Sequence, residues 1–185
     1  MTGFGKPQQS RNIKRKTNTK TIEEAIRQSL IAYQQGDLAG AKALLDKAVE
    51  AHQANSLALG LLATIEKALG NNEIASQLFE RSILIDPNNP DTLHNYSALL
   101  QNKDPAKAVK MSNKALETFP DNSMYLERNG YLKWKAGDLD SALQSTIKAI
   151  ELKPDLIDAH INLGSIYQDL GNLDEASAPT KPHFN

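Results

Sequence analysis

The segment "HINLGSIYQDLGNLDEA", His160 to Ala176, reads as helix yet carries Gly164 and Gly171 seven residues apart. A glycine inside a helix costs about 1 kcal/mol relative to alanine, so Gly164 needs a packing reason, whereas Gly171 reads as a helix stop. The rest of the chain supplies the reason. Alanines recur at Ala41, Ala75, Ala108, Ala142 and Ala176, at intervals of 34, 33, 34 and 34. A second series of small residues runs Ser29, Ala63, Ser97, Gly130 and Gly164, and a third runs Ala48, Ser82, Ala115 and Ala149.

Each period holds two apolar segments of helical spacing separated by Gly36, Gly70, Gly137 or Gly171. The glycine ends helix A in a left-handed cap. Asp37, Asn71 or Asn72, Asp138 and Asn172 then offer side-chain oxygens to the first amides of helix B. Pro87, Pro120 and Pro154 stop the chain after helix B, because proline cannot continue a helix. The third period, one residue short, lacks the glycine and uses Asp104 as cap with Pro105 as first helical residue. Small residues at the crossing let the helices approach, with Gly164 a contact residue. Leu59, Leu62, Leu93, Leu99, Leu132, Leu163 and Ile166 fill the remaining seam.

A 34-residue period with Gly at unit positions 8 and 15, Ala at 20 and 27 and Pro at 32 resembles the tetratricopeptide repeat. "INLGSIYQDLGNLDEA" is similar to its first half almost residue for residue. The match runs from about Ile22 to Ala176. Gln53 replaces the first unit's proline, and Asn129 stands where a large apolar residue is usual, which loosens the fourth helix A. The resemblance implies an all-α fold, a right-handed superhelical solenoid of antiparallel helix pairs with four full repeats and a partial fifth. The repeats are expected at about 22–55, 56–89, 90–122, 123–156 and 157–178, within a solenoid spanning 22–178.

The leader, residues 1–20, contains Lys6, Arg11, Lys14, Arg15, Lys16 and Lys20 and no acid. Lacking an apolar run, it is not a secretory signal, and its polarity predicts a disordered basic tail. Nucleic-acid binding through this tail is the lesser expectation. No window approaches the length of a membrane span. With 40% hydrophobic residues but only 5% aromatic, the core must be aliphatic and alanine-based. Cysteine is absent, which excludes a disulfide framework and a thiolate nucleophile. A cytoplasmic location is the expectation.

Nothing in the chain has the spacing of a catalytic or metal site. His52, His94, His160 and His183 show no i, i+3 or i+4 pairing with one another. "GFGK" at Gly3–Lys6 shares only composition with a phosphate loop, and "NYS" at Asn95–Ser97 is a glycosylation acceptor in form only, inside a predicted helix. No cofactor is expected, and the chain reads as a non-enzyme.

The resemblance implies a concave groove lined by helix A, where positions 2, 5, 6, 9, 12 and 13 tend to face a bound protein or extended peptide. Here those positions include Tyr33, Leu61, Thr64, Asn95, Gln101, Arg128, Tyr131, Lys135, Asn162, Ser165 and Asp169. Asn95 and Asn162 match the asparagines that hold peptide backbones in some relatives, an amide being both donor and acceptor. Leu61, Arg27 and Arg128 interrupt that series. Ile26, Leu30, Gly60 and Leu61 do not supply the patterned cations of a chaperone-type carboxylate clamp. Trp134 is either a groove anchor or packed against the neighbouring unit.

After Ala176, "SAPTKPHFN" places Pro179 and Pro182 where the fifth helix B should continue, so 179–185 read as an irregular tail. Leu163, Ile166, Tyr167 and Leu170 would then lack a cover, and either self-association through this uncapped repeat or fraying of its end is expected. Similar repeat regions with basic leaders often precede transferase or hydroxylase domains in bacterial multidomain proteins. The alternative function is therefore a recognition domain, or a truncated fragment, of a larger enzyme.

Overall fold

The computed structural model describes residues 8–51 and 55–171. Among them are nine α-helices and no strand. Helices α1 (Gln8–Gln34) and α2 (Leu38–Ala51) form one pair, and α3 (Ser56–Ala68) and α4 (Asn72–Ile85) the next. Helices α5 (Pro90–Leu100) and α6 (Pro105–Thr118) form the third, α7 (Ser123–Lys135) and α8 (Leu139–Leu152) the fourth, and α9 (Ile157–Asp169) opens a fifth. No helix of the described residues is long and apolar enough to cross a membrane. The helices fall into two compact units that divide after Pro87, the first holding α1–α4 and the second α5–α9.

The turns follow from local chemistry. Gly36, Gly70, Gly137 and Gly171 have φ of 82°, 85°, 84° and 77°, the left-handed conformation that closes helix A. Asp37, Asp104 and Asp138 then accept bonds from the amides of Gly40, Lys107 and Ser141. Asn71 departs from the expectation: it occupies the N-cap of α4 without a side-chain cap bond. Its Nδ2 donates instead to Glu66 Oε2, 2.7 Å away. Helix α1 begins at Gln8, so residues 8–20 are helical where the sequence predicts a disordered tail. The stretch from Gln8 to Gln34 contains no Gly or Pro and several good helix formers, so a helix packed from Ile22 onward can propagate backwards at little cost.

Close approach of paired helices is the packing rule. Ala41, Ala75, Ala108 and Ala142 are fully buried. In the first pair, buried Ser29 on α1 donates its hydroxyl to the Ala41 carbonyl at 2.9 Å, satisfying a polar group within the crossing. In the fourth pair, a Cβ at Gly130 would stand 2.3 Å from Thr146 Oγ1, 3.2 Å from the Ala142 carbonyl oxygen and 3.3 Å from the Thr146 nitrogen. Gly130 is therefore the glycine the crossing demands. At Gly164 a Cβ meets nothing within 4 Å among the described residues. Position 8 faces helix B of its own repeat, as Gly130 faces α8, and the corresponding residues here, Ala176 among them, lie outside the described ones.

Leu126, Ala149 and Ala159 form a buried seam of α7, α8 and α9, flanked by Leu116, Ile150 and Leu156. Leu163 and Ile166 are buried as well. Asn129, read from the sequence as a loosening, is instead a fully buried hub. Its Nδ2 donates to Ser112 Oγ and Asn113 Oδ1 at 3.2 and 2.7 Å, and its Oδ1 accepts from Ser145 Oγ at 2.9 Å. Both faces of the amide are thus satisfied by α6 and α8.

In the first unit a buried carboxylate replaces an apolar contact. Glu66 on α3 is 2% exposed and pairs with Lys42 Nζ of α2 at 2.7 Å. Burial alone would push the Glu66 carboxyl up, but the bonds from Lys42 and Asn71 outweigh it and hold the carboxyl below its ordinary range. Lys42 is correspondingly raised by Glu66 and Asp46.

Two outcomes are expected. Gly130→Ala should lower stability by about 1–2 kcal/mol, overpacking exceeding the gain in helix propensity. A urea midpoint that stays put or rises would contradict the assignment. Lys42→Met should destabilise by about 1–3 kcal/mol at pH 7, less than a fully buried pair because the ammonium still touches water. Because the folded Glu66 pKa is depressed, this contribution exists above the unfolded pKa and fades as pH falls through the folded one. The gap between wild type and Lys42→Met should therefore shrink at pH 3, and an undiminished gap there would show that packing, not charge, is what the lysine supplies.

Candidate functional site

The second unit brings its three A helices together: α7 packs between α5 and α9. Residues about one repeat apart fall beside each other on successive A helices, and their polar contacts follow that register. Tyr125 donates its hydroxyl to Asp91 Oδ1 at 2.5 Å, 34 residues earlier. Asn162 Nδ2 donates to Glu127 Oε1 at 2.8 Å, and Trp134 Nε1 donates to Asp169 Oδ2 at 2.7 Å, each pair 35 residues apart. Arg128 Nη1 reaches Gln101 Oε1 at 3.3 Å, linking α7 to the end of α5.

Along α7 these contacts make a continuous surface. The Arg128 guanidinium lies over the Tyr131 ring, 5.7 Å from its centroid. Tyr131 meets Trp134 edge-to-face at 5.9 Å, and Lys135 Nζ stands 5.2 Å from the Trp134 ring centroid. Arg128, Tyr131 and Trp134 are each half-buried, while Lys135 and Asp169 are exposed. Side chains of this kind present an apolar body and a polar tip to whatever lies on them. Trp134 thus takes neither extreme of the sequence reading: its indole N–H is tied across to α9 and its ring stays partly open.

Of the residues expected in the groove, Gln101, Arg128, Tyr131, Lys135 and Asp169 belong to this connected surface. Asn95 is half-buried on α5, and Ser165 bonds its own helix at the Ile161 carbonyl. Tyr33, Leu61 and Thr64 lie in the first unit, Tyr33 on α1 and the other two half-buried on α3, where Thr64 bonds the Gly60 carbonyl. Arg27 is paired with Glu24 of its own helix.

Asn162 has a different job from the one expected. It is 6% exposed and spends its amide N–H on Glu127, so the amide proposed to hold a peptide backbone ties α9 to α7. Glu127 itself is pushed above the ordinary carboxylate range by burial, with nearby Asp158 acting in the same sense and Arg128 and Asn162 in the opposite one. Burial and the Asp91 carboxylate raise the Tyr125 phenol, so that group stays protonated at any physiological pH. His94 stacks on Tyr125 at 4.9 Å, and His160 Nε2 lies 2.8 Å from the Pro154 carbonyl oxygen; His52 and His183 are outside the described residues.

Asp91, Tyr125 and Glu127 were missed by reading each helix alone. The signal that finds them is the period itself, because residues i and i+34 or i+35 are neighbours.

Residues 32–94 match a family model described as "Tetratricopeptide repeat", and residues 130–176 one described as "TPR repeat". The chain is a tetratricopeptide repeat protein. Solved structures share the fold. MamA 41-end from Desulfovibrio magneticus RS-1 is 17% identical with a TM-score of 0.74, over 85% of this chain and 89% of that one. PilF of Pseudomonas aeruginosa is 17% identical with a TM-score of 0.75, over 89% and 80%. YrrB, described as "a TPR protein with an unusual peptide-binding site", is 23% identical with a TM-score of 0.69, over 86% and 87%. No curated protein sequence matches the chain.

The Asn162 assignment has a direct test. Asn162→Ala should cost about 1–2 kcal/mol at pH 7, because the half-buried Glu127 carboxylate loses a donor. It should also raise the Glu127 pKa further, read from its side-chain carbonyl shift in an NMR titration. An unmoved titration with unchanged stability would free Asn162 for a ligand after all.

Proposed function

We propose that this tetratricopeptide repeat protein is a non-catalytic scaffold that binds an extended segment of a partner protein across α5, α7 and α9. The observation that carries the reading is the connected run Gln101–Arg128–Tyr131–Trp134–Asp169 over three A helices. Interface energy concentrates in Tyr, Trp and Arg held in position by neighbours, and three of these five residues are of those types. Fixing them before binding also reduces the side-chain entropy lost on association. The amide of Asn95 can serve a peptide backbone as donor and acceptor together. YrrB, of the same fold, is described as having a peptide-binding site, which supports such a role, while the residues proposed for it are this chain's own.

The test is a selection of random dodecapeptides displayed on phage against the full chain, followed by fluorescence polarisation with the selected sequences. Tyr131→Ala is expected to weaken binding tenfold or more, and Asn95→Ala roughly two- to tenfold. Lys110→Ala, exposed on α6, is the control and should leave affinity unchanged. Selected peptides whose affinity ignores Tyr131 and Asn95 would place binding on another surface.

A further inference from the structure

Resting on that reading, we infer that the bound segment carries an acidic side chain in its interior, received by Arg128, with an apolar neighbour lying on Trp134. Arg128 is half-buried, and its Nε is enclosed without any hydrogen-bond acceptor. Its Nη1 makes a long bond, 3.3 Å, to the neutral oxygen of Gln101. A guanidinium has five donors in a planar fork, so this is an under-used cation at a site where water is partly excluded. The enclosed Nε stays out of an incoming acceptor's reach, but the half-buried fork carries further N–H donors besides the one on Gln101, and these an acceptor can engage.

Neither adjacent carboxylate hydrogen-bonds the guanidinium, although the Glu127 charge interacts with it. Glu127 gives Oε1 to Asn162, and Asp169 gives Oδ2 to Trp134. The Tyr131 ring lies within cation–π reach of the guanidinium, whose planar fork matches a flat bidentate acceptor, and a carboxylate is one. Lys135 lies on the same face of α7 seven residues on, about 10 Å along the axis, a second cation beyond the aromatic pair, with the Asp169 carboxylate bonded to the other side of Trp134. Between the two cations the half-buried Trp134 ring offers an apolar surface whose orientation the Asp169 bond fixes.

An interior side chain fits better than a chain terminus. Arg128 lies on α7, with α5 to one side and α9 to the other, so a segment ending there would leave one flank of the face unused.

The selection from the random dodecapeptide library supplies the probe. Peptides recovered by the full chain should be enriched in Asp or Glu beside an apolar residue. Replacing that acid by Gln or Asn in the peptide, which leaves the protein untouched, should weaken binding roughly ten- to hundredfold. Arg128→Gln should weaken the acidic peptide to the level of its amide version, and Arg128→Lys should fall between, keeping charge but losing the fork. Circular dichroism melting of both variants separates this loss from unfolding. Binders with no acidic preference, indifferent to Arg128→Gln yet weakened by Tyr131→Ala, would overturn this inference and leave the scaffold reading standing. Dependence on the peptide's terminal carboxylate, removed by amidation, would overturn the interior placement. A library that yields no binder would overturn both.

Discussion

Two helices can cross closely only where neither presents a bulky side chain, and the rest of this protein depends on that requirement being met every 34 residues or so. In the first pair the crossing is closed by the Ser29 hydroxyl on the Ala41 carbonyl, and in the fourth by Gly130 against Ala142 and Thr146. A methyl group there would press on backbone atoms at 3.2 and 3.3 Å, which cannot move without shifting the helix. Once paired helices meet on small residues, their larger apolar side chains turn toward adjacent helices, as Leu126 and Leu116 do around Ala149 and Ala159. The remaining face of each A helix is then relieved of packing duty and open to polar and aromatic residues.

That division explains what was legible in the chain. Periodic alanines, glycines at positive φ and aspartate caps act locally, within a turn or two, so their spacing announced both helices of each repeat. The glycines at 36, 70, 137 and 171 turn the chain as their position implies. Gly130 shows why a small residue recurs at the crossing, since a Cβ there would press on α8, whereas the residues that would face Gly164 lie outside the described ones. The length of α1 was missed: polar residues lacking apolar periodicity do not mark a helix, yet nothing in them breaks one.

Buried polar groups were the least legible part. Asn129 on α7 is satisfied by residues 16 and 17 positions away on α6 and by Ser145, 16 positions away on α8. Glu66 draws its partner from another helix 24 residues earlier, and Asn162 finds its acceptor 35 residues back. No property of the residue itself tells a buried, matched amide from one exposed to a ligand. Only the register of successive repeats does, and applied as a rule it would have paired Asp91 with Tyr125, Glu127 with Asn162 and Trp134 with Asp169.

The same repeat position therefore has three chemical fates in the second unit. At position 6 Asn95 is half-buried, Arg128 is half-buried with an enclosed nitrogen unmatched, and Asn162 is buried and bonded to Glu127. A periodic backbone places these side chains in equivalent positions, but burial and partners decide which of them has hydrogen-bonding capacity left for another molecule. Asn162 has spent its amide N–H on joining α9 to α7, so the capacity lies toward α5 and along α7, where the cation and the two aromatic rings already constrain one another. Selectivity in such an array thus arises from unequal satisfaction of equivalent positions, and Arg128, the one of the three with an enclosed donor unmatched, is where a partner's chemistry is most narrowly specified.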